Sequence, residues 1–177
     1  FYRKKLIQIC NDEKIIVSDF GVDSIYKNIK VPITKRKKYQ LMYKLFSKKG
    51  HLSHEMMLNT ASMQLSLDYS SLEQAEFLAF LSDSIHPFFS IIFSNSPFWH
   101  SKKSYKKNVR ELIWSQTDSD RCNSLFEHGI TNNKKLIENY IDFLLKVPAI
   151  FRESSNSISN FNGTIEKYLI ELHENNG

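Results

Sequence analysis

Two adjoining segments of this chain carry the periods of a β-strand and of an α-helix. Residues 61–68 alternate strictly between apolar and polar side chains, so a strand here has two chemically different faces. Ser70 and Glu73 have the spacing of a capping box, and residues 72–93 are apolar on nearly every face. The pattern predicts a strand and then a buried core helix, too short and interrupted to cross a bilayer, which Pro87 should kink or split.

The other periodic segments predict several helices and one more strand. Residues 1–12 are predicted to be the end of a helix, and helices are predicted over residues 39–46, 107–115, 136–145 and 165–172. A short apolar run predicts a strand over residues 14–22, and a Ser- and Asn-rich stretch predicts a loop over residues 153–163. The expected fold class is therefore α+β, in one domain over residues 1–177, with too few strands for a complete sheet.

The positive charges are unevenly distributed along the chain. Lys and Arg number 24 against 19 Asp and Glu, a formal net charge of +5. Residues 35–49 hold seven basic side chains and residues 102–110 hold five, with no acid in either stretch. Such stretches can neutralise phosphates, but lysine-rich runs are more often solvated surface. Few aromatic residues lie among them, so we do not expect nucleic acid as the partner.

Composition excludes several other classes of protein. Cys10 and Cys122 are too few for a disulfide-rich scaffold and lack a CxxC or histidine neighbour, so we expect buried thiols. No run of about 18 apolar residues is present and no secretory leader is visible, so we expect a cytoplasmic protein without a membrane partner. The sequence starts at Phe1 rather than Met, and we expect a piece of a longer protein.

Two groups of side chains are candidates for a functional site. On the polar face of the predicted strand, Gln64, Ser66 and Asp68 can offer oxygen ligands to a substrate or to Mg²⁺; the alternative is a face that simply meets water. Arg110 and Trp114 lie four residues apart, on one face of a predicted helix. Such an Arg can hold a carboxylate or phosphate; the alternative is a surface Arg whose stem covers the Trp.

Three weaker patterns favour structural interpretations. Residues 117–121 lack the glycine and later glutamate of a calcium loop, so we predict a turn capped by aspartate. His51, His54 and Glu55 do not match a helical zinc motif and are interpreted as a solvated loop. With only five glycines, the chain contains no glycine-rich phosphate-binding motif.

Taken together, several segments resemble the plant-type glutamate–cysteine ligases, a family with many bacterial members. Their order and spacing over about residues 15–150 carry the resemblance more than any single motif. The segments are Val-Pro at 31–32, residues 38–42, residues 56–71, Phe-Ser-Asn-Ser-Pro-Phe at 93–98, Arg-Glu-Leu-Ile-Trp at 110–114, Thr-Asp-Ser-Asp-Arg at 117–121, Tyr-Ile-Asp at 140–142 and Val-Pro at 147–148.

The resemblance implies a glutamine-synthetase-like fold, in which helices pack behind a curved antiparallel sheet that supports the active site. It also implies that ATP phosphorylates the γ-carboxylate of glutamate and that the amine of cysteine attacks the acyl phosphate. The products are γ-glutamylcysteine, ADP and phosphate, in the first step of glutathione synthesis. During this reaction, magnesium ions neutralise the charge of the phosphates. The implied small molecules are glutamate, cysteine, ATP and Mg²⁺.

Carried over by position, the resemblance makes Arg110 the catalytic residue, holding a substrate carboxylate or phosphate. It makes Gln64, Asn95, Ser96 and Trp114 substrate-binding residues, and Gln64 with Ser66 metal ligands. Relatives more often have Asn or His where this chain has Ser66, which departs from the family pattern at a ligand position.

The family's metal-binding glutamates on early strands and its charged closing segment have no counterpart here. We therefore expect the central part of a ligase, inactive or nearly so alone. The alternatives are a related carboxylate–amine ligase with another amine acceptor, and a non-catalytic nucleic-acid-binding protein.

Overall fold

The computed structural model describes residues 2–25, 32–48, 51–154 and 157–176, so Phe1, Val31 and Lys49 of the sequence predictions lie outside the described residues. The helices are α1 (Tyr2–Asp12), α2 (Lys37–Phe46), α3 (Ser53–Asn59), α4 (Leu72–Ile92), α5 (Val109–Ser115), α6 (Ser119–Cys122), α7 (Leu136–Lys146) and α8 (Ile165–Asn176). The strands are β1 (Phe98–Trp99), β2 (Lys102–Lys103), β3 (Phe151–Ser154) and β4 (Ser157–Asn160). The predicted α+β class is confirmed.

The strands form two small antiparallel hairpins, β1–β2 and β3–β4. The predicted loop over residues 153–163 is wrong in its first half, because Arg152 pairs with Ser159 and Glu153 with Ile158. The second hairpin packs on α2, where the Lys38 Nζ lies 5.6 Å from the centre of the Phe151 ring. The Ser- and Asn-rich composition favoured a loop and did not indicate that residues 151–154 pair with residues 157–160.

The two longer predicted strands, over residues 14–22 and 61–68, are wrong. Residues 15–20 and 61–69 belong to no strand in the described parts of the chain. Their inner ends meet at one antiparallel bridge between Val22 and Thr60, extended by a 3.1 Å hydrogen bond from Ala61 N to Gly21 O. An alternating pattern predicts which face is apolar, whereas a strand also needs a hydrogen-bonded neighbour.

Helix α4 is continuous over 21 residues with Pro87 inside it, so of the predicted kink or split, the split does not occur. Its N-cap lies one residue later than predicted, because the Ser71 hydroxyl accepts a 3.2 Å hydrogen bond from Gln74 N. The Gln74 side chain in turn accepts from Ser70 N at 2.7 Å. The Glu73 backbone N–H and the Ser71 hydroxyl hold the pKa of the Glu73 carboxyl below its usual value.

The prediction that α4 is a buried core helix is wrong as well. None of its residues is buried, and Phe88 and Ile91 are 67% and 74% exposed. Its neighbours hold it through polar contacts: Asp83 accepts from Leu125 N and Glu76 accepts from Ile137 N. The prediction that α4 is too short and interrupted to cross a bilayer is wrong by length and composition, although core helices of soluble proteins meet the same criterion.

The buried core that matters for the site lies beneath α5. Val22, Val109 and Ile113 are at most 1% exposed, and Leu52, Met56 and Trp99 pack against them. These residues come from three distant parts of the sequence. The core therefore fixes α5 against α3 and against the bridge at Val22, and so determines where the outer face of α5 points.

Candidate active site

Helix α5 positions Arg110 and Trp114. The Asn108 side chain caps the helix by accepting a 3.1 Å hydrogen bond from Glu111 N. Val109 and Ile113 are wholly buried on the inner face. The Arg110 guanidinium carbon lies 5.4 Å from the centre of the Trp114 ring, so the two share a face as their spacing predicts.

A cleft of about 880 Å³ lies beside Arg110, a size within the range of small-molecule sites. Its walls are the second half of α4, residues 18–21, residues 61–63, residues 94–96 and the first turn of α5. Among the residues singled out in the sequence, Asn95, Ser96 and Arg110 line this cleft. Trp114 supports Arg110 from α5, whereas Gln64 and Ser66 lie on the exposed segment beyond the cleft's rim.

Arg110 brings a positive charge to the cleft. Its Nε is buried and has no hydrogen-bond partner among the described residues, and the same holds for the Trp114 indole Nε1. Within those residues the Arg110 guanidinium also forms no ion pair with a carboxylate. A buried donor without an acceptor is costly, and a guanidinium matches the geometry of carboxylate and phosphate. An anion bound in the cleft would supply the missing acceptor.

Asn95 and Ser96 hold the cleft together through their internal hydrogen bonds. The Asn95 amide donates to Asp19 O at 2.9 Å, and Asn95 O accepts from Gly21 N at 2.9 Å. The Ser96 hydroxyl accepts from Arg110 N at 3.1 Å. A Cβ at Gly21 would lie 3.4 Å from the Cδ of Arg110, so the arginine stem passes close over this glycine. These contacts fix the orientation of Arg110 toward the cleft.

The cleft also contains a polar group formed by Glu111, Ser90 and His86, which the sequence pattern did not indicate. Glu111 accepts a 3.2 Å hydrogen bond from the Ser90 hydroxyl, and its carboxylate lies 3.6 Å from His86 Nε2. The Asn108 amide donates to Ser90 O at 2.7 Å and so ties α4 to α5. His86 and Ser90 are four residues apart on α4, a spacing that indicates a shared face but not the acid opposite it.

The Ser96 hydroxyl gives a testable prediction about how the cleft is built. Replacing the 2% exposed Ser96 with Ala removes the acceptor of Arg110 N, and should lower the free energy of unfolding by about 1–3 kcal/mol. Urea denaturation measures the change. Ser82→Ala is the matched control, because Ser82 is exposed and its hydroxyl donates to Leu78 O within its own helix. Equal effects of the two substitutions would contradict this role of Ser96.

The described residues do not by themselves assemble a cluster of magnesium ligands, and the metal role of Gln64 and Ser66 stays a prediction. Gln64 and Ser66 lie in an exposed segment without paired strands, and no group of three His, Cys, Asp or Glu side chains forms in the described ranges. Mg²⁺ is usually held by one or two carboxylates together with substrate phosphates and waters, in near-ideal octahedral geometry. No step of the chemistry below is therefore assigned to a metal held by this chain.

The residues considered for a zinc site have structural roles. Glu55 binds His100 at 3.0 Å and accepts from the Asn59 amide, while His54 stacks on Tyr43. These residues lie on and around α3 rather than on the predicted loop.

The predicted aspartate cap is confirmed at Asp118, although it caps the short helix α6 rather than a turn; it accepts from Asp120 N at 3.1 Å and pairs with Arg121 at 2.5 Å. The thiol prediction holds for Cys10, which is buried, whereas Cys122 is half-buried. Partial burial, and secondarily the charge of Asp118, raises the pKa of the Cys122 thiol.

Comparison with known proteins identifies the family. A sequence model of glutamate-cysteine ligase family 2 (GCS2) matches residues 3–175. The chloroplastic glutamate–cysteine ligase of Arabidopsis thaliana is 30% identical over 152 residues, which cover 84% of this chain and 28% of that protein. The chain belongs to glutamate-cysteine ligase family 2, as the sequence resemblance predicted.

Two further relatives are also named glutamate–cysteine ligases. The chloroplastic glutamate–cysteine ligase of Medicago truncatula is 33% identical over 123 residues, covering 68% of this chain and 23% of that protein. Glutamate–cysteine ligase B of Oryza sativa subsp. japonica, also chloroplastic, is 33% identical over 122 residues, which cover 68% of this chain and 24% of that protein. The chain thus spans about a quarter of the length of the curated relatives it matches.

Proposed function

We propose that the Arg110 cleft forms one wall of the active site of an ATP-dependent glutamate–cysteine ligase. The observation that carries this proposal is the Arg110 guanidinium, which lines the cleft with a buried and unpartnered Nε. In a chain of this ligase family, the anion that completes such a site is a substrate carboxylate or a phosphate. Trp114 lies against the guanidinium and restricts its movement.

The proposed reaction places negative charge where Arg110 can stabilise it. The γ-carboxylate of glutamate attacks the γ-phosphorus of ATP, giving an acyl phosphate and ADP. The amine of cysteine then attacks the acyl carbon, loses a proton, and expels phosphate to form γ-glutamylcysteine. Arg110 would bind a carboxylate or phosphoryl oxygen through paired N–H donors, a geometry that neutralises charge and orients the reacting group.

We also propose that the 177-residue chain has little activity alone. Its described residues bring together no carboxylate cluster for Mg-ATP, and Gln64 and Ser66 lie on a segment without neighbouring strands. A glutamine-synthetase-like sheet is part of this proposal, supported by the antiparallel bridge that joins the two extended segments at Val22 and Thr60.

The alternatives have less support. No observation favours a different amine acceptor over cysteine, and the curated relatives are named glutamate–cysteine ligases. The two basic stretches lie on separate elements, one on α2 and the other on β2 and the residues that lead into α5, and no observation on the described residues favours nucleic acid. The cytoplasmic location stays a prediction.

A chimera provides the functional test. This chain replaces the matching segment of the Arabidopsis ligase, and product formation is measured with glutamate, ATP and a panel of amines. We expect γ-glutamylcysteine from the chimera, cysteine as the preferred amine, and negligible turnover by the isolated chain. Preference for another amine would support the rival carboxylate–amine ligase. Full turnover by the isolated chain would contradict the proposal of a partial site.

A further inference from the structure

A second cavity, of about 420 Å³, lies among the helices and shares no lining residue with the Arg110 cleft. Its walls come from the middle of α4, from α6 and residues 123–128, from α7, and from the start of α8. We call this space the helical cavity. Its volume lies within the range of small-molecule sites and is roughly that of a single turn of α-helix. A small molecule therefore fits inside it, whereas a whole helix of another polypeptide does not.

Apolar and aromatic side chains make up much of the wall of the helical cavity. Leu125 and Leu144 line it together with several rings. The His128 ring stacks on Phe143 with 3.9 Å between the ring centres, and the Tyr140 ring lies beside Phe143 with 5.9 Å between centres. Rings and branched apolar side chains around a cavity favour a ligand with an apolar, planar body.

The charged residues of the wall leave a negative balance. Arg121 pairs with Asp118 at 2.5 Å, so its positive charge is already neutralised. Asp83 forms no ion pair among the described residues, and its carboxylate accepts a 3.1 Å hydrogen bond from Leu125 N. Asp120 adds a second acidic residue to the lining. A wall of this charge attracts a cation and repels a carboxylate or a phosphate.

The imidazole of His128 adds a polar atom that lacks a partner. Its Nε2 is buried and has no hydrogen-bond partner among the described residues, which is unfavourable for a polar atom. Because His128 lines the cavity, a small turn of its ring would bring Nε2 to a bound ligand. In the tautomer with its proton on Nδ1, Nε2 is an acceptor. An ammonium group has three donors and no acceptor, so a carboxylate and an imidazole nitrogen together match it.

We propose that the helical cavity is a binding site for a small primary amine with an aromatic body. The ammonium group binds the Asp83 carboxylate and donates to His128 Nε2, while the aromatic body lies against Phe143 and Tyr140. This site goes beyond the ligase reaction, because it is built from residues that the Arg110 cleft does not contain.

A comparison of ligands tests the proposal in the unaltered 177-residue chain, with binding followed by the NMR shifts of the backbone amides. Phenethylamine should bind saturably, with a dissociation constant of roughly 1 mM or below. The shifted amides should lie around residues 79–83 and 125–128. 2-Phenylethanol has a hydroxyl in place of the ammonium group and should bind about tenfold or more weakly, because a hydrogen bond to a charged group is lost.

Matched variants test the two polar groups. Asp83→Asn keeps an acceptor for Leu125 N but removes the charge, so it should weaken phenethylamine binding by about tenfold or more and leave 2-phenylethanol binding unchanged. Asp142→Asn removes the same charge from an exposed position of α7 outside the cavity lining, and should change the binding of neither ligand. His128→Phe keeps a ring against Phe143 and should weaken phenethylamine binding by roughly 2- to 12-fold, the usual effect of one neutral hydrogen bond.

The lysine side chain of another polypeptide carries the same ammonium group and is the rival occupant. Nα-acetyl-lysine amide represents it and, lacking a ring, should bind more weakly than phenethylamine. Tighter binding of the lysine amide, or amide shifts that instead depend on chain concentration, would overturn the proposal in favour of a polypeptide or a second copy. Equal affinities for phenethylamine and 2-phenylethanol, or no saturable binding, would overturn it without any variant. Equal effects of Asp83→Asn and Asp142→Asn would remove Asp83 from the site and overturn it as well.

Discussion

Replacing Arg110 with alanine in the Arabidopsis chimera should lower kcat/KM for glutamate by roughly 10- to 150-fold. This range corresponds to about 1.5–3 kcal/mol, the usual contribution of a hydrogen bond to a charged group. The physical reason is that Arg110 is the cationic side chain whose Nε is buried in the cleft without a partner among the described residues. Steady-state kinetics with varied glutamate measures the loss.

Two matched substitutions distinguish the charge of Arg110, the geometry of its paired donors, and a general effect of removing a positive charge from this stretch. Arg110→Lys keeps the charge but not the paired donors, so it should recover only part of the activity. Lys106→Ala removes a positive charge from the same basic stretch at an exposed position outside the cleft lining, and should leave kcat/KM unchanged. Equal kinetics for Arg110→Ala and Lys106→Ala would remove Arg110 from the site.

Replacing Ile113 with alanine should lower the free energy of unfolding by about 2–5 kcal/mol, the usual cost of emptying a packed core position. Ile113 is wholly buried between Val22 and Val109 and lies on the inner face of the helix that carries Arg110. Losing its methyl groups leaves a cavity beneath α5. Urea denaturation followed by circular dichroism measures the change in the isolated chain.

Ile16→Ala is the matched control for this substitution. Ile16 is 94% exposed, so removing the same atoms should change stability by less than about 0.5 kcal/mol. If both substitutions cost the same, the core beneath α5 is not the one described. If Ile113→Ala costs nothing, α5 is not anchored by this cluster.

Most of the helices could be predicted because their signals are local, whereas the seven-residue α3 and the four-residue α6 were not. Apolar spacing and Pro148 predict a helix over residues 136–145, and α7 covers Leu136–Lys146. The shared face of Arg110 and Trp114 likewise follows from their separation of four residues along α5.

The strands and the exposure of α4 depend on what lies beside them, which the sequence pattern does not contain. Residues 61–68 alternate as a strand does, yet they have no strand neighbour in the described parts of the chain. Helix α4 is apolar as a core helix is, yet none of its residues is buried. Local periodicity indicates a chemical preference for a partner, and tertiary structure decides whether that partner is present.

The candidate site, like the fold, could be predicted from the sequence only in part. Asn95 and Ser96 entered through the family resemblance, and their hydrogen bonds to Asp19 and Arg110 are visible only in the fold. Glu111, Ser90 and His86 were missed because their contact joins two helices separated by a hairpin. Pairing between distant elements leaves no periodic signal in one sequence.

Isotope transfer is the most direct measurement of the central claim that this chain forms part of an ATP-dependent glutamate–cysteine ligase. Glutamate carrying ¹⁸O in its γ-carboxylate is given to the chimera with ATP and cysteine, and the products are analysed by mass spectrometry. The proposed acyl phosphate predicts γ-glutamylcysteine together with phosphate that has gained one labelled oxygen. A soluble, folded chimera that forms no product, or one that releases only unlabelled phosphate, would contradict it.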